Sequence, residues 1–104
     1  MKFTGKEDHS ISLDDAAKMT KNARKSGKHG NHKGGFFGRE AIEKLLAQPG
    51  VVGIRHYHAA HDNGDPALVL VGVDQDGNDM VRGTVLERNF PCPPDCGESN
   101  ALNS

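Results

Sequence analysis

The feature that most constrains the fold is one apolar run, Ala67-Leu68-Val69-Leu70-Val71-Gly72-Val73. A continuous run of this length, rich in β-branched residues, reads as a central strand covered on both faces. Turn-forming residues bound it: Asp62-Asn63-Gly64-Asp65-Pro66 before it and Asp74-Gln75-Asp76-Gly77-Asn78 after it. Two weaker strand patterns flank these turns. Val51 to about Ala60 alternates, with Val52, Ile54, His56 and His58 on one face and Val51, Arg55 and Tyr57 on the other. Asp79 to Leu86 carries Met80, Val81, Val85 and Leu86 and is interrupted by Gly83.

Upstream, the hydrophobic period becomes helical. Ser12 precedes Leu13-Asp14-Asp15 as a capping residue, and a helix is expected to about Lys25. Its apolar face is weak: Leu13, Ala16, Ala17, Thr20 and Ala23. A second helix is expected from Gly38 to Gln48, with Ala41, Ile42, Leu45 and Leu46 as its core stripe and Pro49-Gly50 as its stop. The expected architecture is α+β: two N-terminal helices packed on a three-stranded antiparallel meander, with an extended Pro/Cys-containing C-terminal tail. Residues 1–10 are expected to be flexible. Residues 11–89 are expected to form one domain, with a flexible Gly/His/Lys linker at 26–35, and residues 90–104 the tail. Proline at 91, 93 and 94 stiffens that tail and keeps it out of a sheet interior.

Composition limits the core. Hydrophobic residues make up 35% of 104, and there is no Trp. A small core favours homo-oligomerisation. Net charge is −1, but it is unevenly spread. Residues 1–39 hold nine Lys/Arg and four acids, whereas residues 40–104 hold four and ten. Opposite halves can neutralise one another within or between copies, which needs no outside partner. A nucleic-acid reading rests on the seven cations from Lys18 to Arg39, but no aromatic series accompanies them for base stacking. No apolar run is long enough to cross a membrane, and no secretory leader pattern opens the chain. Cytoplasmic location, with reduced cysteines, is the expectation.

Several motifs bear on chemistry. His56, His58 and His61 stand at H-x-H-x-x-H spacing, and two strand residues at i and i+2 share a face. They are candidate ligands for zinc or another transition metal, with or without Cys92 and Cys96. The motif differs from the H-x-H-x-D-H signature of metallo-β-lactamases, having Ala60 in place of the aspartate. His29-x-x-His32 lies in the glycine-rich linker and reads as a solvated connector. Asp74-x-Asp76-Gly77 fails as an EF-hand loop, because its glycine is fourth and its twelfth residue is Val85. Cys92-Pro93-Pro94-Asp95-Cys96 is one residue longer than a redox Cys-x-x-Cys, and Asp95 raises a neighbouring thiol pKa. Three readings stay open for the pair: a local disulfide, half of a zinc site completed by histidines or another subunit, or small packing groups. No nucleophile with its base stands out, so a non-enzymatic role is favoured.

Four segments together resemble a family of short bacterial proteins with no assigned activity. They are Phe36-Phe37-Gly38-Arg39-Glu40, Leu45 to Arg55, Leu68 to Asp74, and the tail Phe90-Pro91-Cys92-Pro93-Pro94-Asp95-Cys96-Gly97. The resemblance spans residues 36–104 and carries over no functional residues. It implies apolar or aromatic residues where this chain has His56, His58 and His61. The leading functional reading is a self-associating interaction protein. The runners-up are metal binding at the histidines and nucleic-acid binding through Lys18–Arg39.

Overall fold

The computed structural model describes residues 2–104 and is mixed α+β. In place of one domain over 11–89, the chain forms two compact units. One comprises residues 1–7 and 37–89, the other residues 8–36 and 90–104.

The first unit is built on the apolar run. Strand β3 (Pro66–Val73) lies between β2 (Gly53–Ala60) and the short β4 (Val85–Leu86), all antiparallel. The β2–β3 register pairs Ile54 with Gly72, His56 with Leu70 and His58 with Leu68. Helix α2 (Arg39–Leu46) packs where β3 has no side chain. A Cβ at Gly72 would lie 3.6 Å from Leu45 Cδ2 and 3.0 Å from Val51 Cγ2. Glycine therefore lets the helix approach the strand closely. Leu45 is fully buried, and Leu70, Val71 and Val73 complete the core. Leu46, expected in the core stripe, is exposed.

The expected third strand over 79–86 is much shorter. Asp79 makes one bridge to Val73, and pairing resumes only at Val85 and Leu86. Gln48 explains the gap. Its Nε2 donates to the Leu45 carbonyl at 2.8 Å, while its Oε1 accepts from the Thr84 amide at 2.7 Å. The 80–84 segment is thus fastened to the end of α2 instead of continuing the ladder. Gly83 leaves room for this, since a Cβ there would sit 2.0 Å from Gln48 Oε1.

The first residues are held in the same unit. The Phe3 amide donates to the Gln75 carbonyl at 2.8 Å, and Lys2 pairs with Asp76. The Glu7 carboxylate accepts from the Thr4 and Gly5 amides, both at 2.8 Å. The Thr4 amide is the main cause that brings its pKa down to about 2.

The second unit contains helix α1 (Leu13–Ser26), strand β1 (Gly34–Phe36) and strand β5 (Phe90–Cys92). Ser12 caps α1 as its spacing predicts, accepting from the Asp15 amide at 3.0 Å. Gly27 ends the helix at φ +68, in the left-handed region that glycine adopts without strain. Strand β1 corrects the reading of residues 26–35 as an unstructured linker throughout. Its glycines have no core contact of their own, and its order comes from pairing with the tail. Gly34, Gly35 and Phe36 lie opposite Cys92, Pro91 and Phe90. Pro91 is tolerated because each strand of a two-stranded sheet is an edge. Two sheets thus replace the single expected meander, and α1 belongs with the smaller one.

Two substitutions test the first unit. Leu45→Ala is expected to cost about 2–5 kcal/mol through lost burial and a residual cavity. Gln48→Ala should cost roughly 1–3 kcal/mol by orphaning the half-buried Thr84 amide. Urea unfolding checks both, and a neutral Gln48→Ala would contradict the fastening.

Candidate functional site

The expected histidine cluster is only partly gathered. His56 and His58 project from the same side of β2, with ring centroids 5.8 Å apart and edge-to-face planes. Both are exposed. His61 lies beyond the strand, in the turn closed by its own amide bonding to the Asp65 carbonyl. Its Nε2 faces Glu87 Oε1 at 3.5 Å instead of joining the other two rings. Among the described residues, no three His, Cys, Asp or Glu side chains form a group able to hold a metal ion.

Cys92 and Cys96 belong to the second unit and are joined as a disulfide, with Cα atoms 4.8 Å apart. The expected reduced thiols are therefore replaced by the local bridge. Three intervening residues bring the two Cα atoms within ordinary disulfide range. The bridge closes a small ring at the end of β5, where the Asp95 amide donates to the Pro91 carbonyl at 2.9 Å.

The rest of the tail folds back on its own unit. Arg24 donates to the main-chain oxygens of Leu102 and Ser104 at 2.8 and 2.7 Å. Lys33 Nζ donates to the Asn103 carbonyl at 2.8 Å. These contacts engage two cations of the Lys18–Arg39 segment, and Arg39 pairs with Glu43 at 2.6 Å. The segment is thus partly committed to internal contacts, which reduces the charge it offers a polyanion.

The most exposed apolar feature of the second unit is the Phe36–Phe90 pair. The register of β1 and β5 sets these residues opposite each other. Their rings stack with centroids 6.2 Å apart and planes at 20°, yet they are 56% and 59% exposed. Ile11, Leu13, Met19 and Leu102 are also exposed in this unit. Among its described residues, none is buried.

A further cluster lies on the first unit. Arg55 donates to Asp79 Oδ1 at 2.6 Å and to the Gly77 carbonyl at 3.0 Å. The Tyr57 hydroxyl donates to Asp79 Oδ2. The Tyr57 hydrogen bond, followed by Arg55, holds the Asp79 carboxyl below the usual aspartate range. The same carboxylate raises the Tyr57 and Arg55 pKa values. A phenol pushed upward is a poorer base at neutral pH, and this carboxylate is occupied on both oxygens. The trio is therefore a clamp that ties the 74–79 turn to β2. The alternation of β2 places Arg55 and Tyr57 together in the sequence, but their partner becomes visible only with the hairpin register.

No protein-family model, curated protein or solved structure matches this chain. Among the described residues, no helix is long and apolar enough to cross a membrane.

The clamp predicts an acid dependence. Asp79 has a lowered folded-state pKa, so its stabilisation is present above the unfolded aspartate value. It is lost as pH falls through the lower folded value. Urea midpoints measured from about pH 6 to about pH 2 should fall steeply for the wild type and less steeply for Asp79→Asn. Superimposable profiles would contradict a pH-linked clamp.

Proposed function

We propose that the protein is a small non-enzymatic interaction module that self-associates, with the β1–β5 ribbon as its contact surface. The carrying observation is the exposed Phe36–Phe90 stack on a unit that has no buried side chain among its described residues. A two-stranded sheet is marginal in water unless an apolar face is covered. Burying two phenylalanine rings is worth several kcal/mol in area terms, more than any other exposed pair in this unit can supply.

A second copy is the occupant favoured by the geometry. Each strand of the ribbon is hydrogen-bonded to only one neighbour, so the outer edges of β1 and β5 can accept another strand. A two-fold arrangement would place one Phe36–Phe90 pair against its own image, a self-complementary contact. Uneven charge along the chain adds a means of fixing orientation between copies. The earlier bacterial-family resemblance is compatible with this reading and contributes no residue to it.

Metal binding by His56, His58 and His61 is the weaker reading, because His61 is turned toward Glu87. Nucleic-acid binding is weaker still, given the internal engagement of Arg24 and Lys33.

Sedimentation equilibrium of the wild type and of the Phe36→Ser/Phe90→Ser double variant tests the reading. The double variant should dissociate at least about tenfold more readily, since 1.4 kcal/mol corresponds to that factor. Circular dichroism that retains the helical signal separates lost association from lost folding. A wild type that is monomeric at all concentrations, or a folded double variant with unchanged association, would overturn the proposal.

A further inference from the structure

We infer that the disulfide end of the ribbon is a redox-gated zinc site, with Cys92, Cys96, His29 and His32 as its four ligands. The register carries the argument. Strands β1 and β5 are antiparallel, and Gly34 lies opposite Cys92. The chain entering β1 and the chain leaving β5 therefore sit at the same end of the ribbon. The Lys33 amide donates to the Cys92 carbonyl at 2.7 Å, which fixes the residue after His32 directly against the first cysteine. The His32 amide in turn donates to the His29 carbonyl at 3.0 Å, so the two histidines flank a single tight turn. Two separated sequence pairs, His29-x-x-His32 and Cys92-x-x-x-Cys96, are thereby brought into one place.

The donor set suits zinc. Two thiolates and two imidazoles give a neutral tetrahedral site of the common structural type. The cysteine spacing lies within the usual range for such sites. The histidine spacing is one residue shorter than usual. Gly30, at φ +58, and the adjoining Gly27 and Gly34 let this turn reshape at little cost.

Oxidation state gates the site. In the disulfide, both sulfurs are bonded to each other and neither is a thiolate. A dithiol reductant supplies two electrons and two protons. The S–S bond breaks to give two thiols, and the reductant becomes a disulfide. Zinc binding then displaces the two thiol protons, forming two Zn–S bonds. The site is separate from the Phe36–Phe90 surface and stands or falls without it.

Cobalt(II) titration of the full chain tests the inference, with one sample oxidised and the other reduced by a phosphine that is then removed under anaerobic conditions. The reduced protein should bind one cobalt per chain, with thiolate-to-cobalt charge-transfer absorption and the strong visible bands of a tetrahedral ion, all abolished by zinc. The oxidised protein should show none of these. Cys96→Ser should weaken the charge-transfer band, with metal-free reduced wild type as its matched control. His29→Gln/His32→Gln should weaken binding at least about tenfold, and His56→Gln/His58→Gln should leave it unchanged. Both histidine pairs include exposed positions, and circular dichroism verifies that each variant folds. Absence of charge-transfer absorption in the reduced protein would overturn the inference. So would equal binding by the oxidised protein, or wild-type affinity in His29→Gln/His32→Gln.

Discussion

Burial is the scarce resource in this chain. The fully packed hydrophobic side chains, Leu45, Leu70, Val71 and Val73, all lie in the unit built on β3 and α2. Gly72 makes that packing work by allowing Leu45 to approach the strand at backbone level. The polar fastenings of this unit secure segments that carry little apolar surface. Gln48 anchors the 80–84 segment, and Asp79 anchors the preceding turn to Arg55 and Tyr57. Each satisfies main-chain or charged groups that would otherwise lose water without replacement.

The other unit is organised on a different principle. It has a capped helix, a three-residue ladder, a disulfide ring and main-chain bonds from Arg24 and Lys33 to the end of the tail. Hydrogen bonds and a cross-link fix its geometry, but they do not bury apolar area. The exposed Phe36–Phe90 stack is what such a unit can offer to a second copy. Structure and proposed function thus meet in one physical fact: the ribbon has a shape before it has a covered face.

What was legible in the sequence followed from local signals. The run 67–73, the Ser12 cap and the Leu45 stripe each depend on neighbours within a turn or a few residues, and each lies where periodicity puts it. Strand β1 was not legible, because Gly34 and Gly35 gain order only from Cys92 and Pro91, far along the chain. The break at 80–84 likewise depends on Gln48, whose helix-end position carries no sign of its distant acceptor role. At the candidate sites, strand alternation correctly set His56 beside His58 but could not reveal that His61 turns toward Glu87. The two cysteines suggested a bridge among three alternatives, and only the fold showed what the tail is fastened to.

The central claim is that the β1–β5 ribbon is the contact surface between copies. Amide chemical shifts followed through a dilution series test this most directly, because they report each residue separately in the unmodified chain. The account predicts concentration-dependent shifts centred on Gly34–Phe36 and Phe90–Cys92. Shifts that are absent, or that centre on α2 and the three-stranded sheet instead, would contradict it.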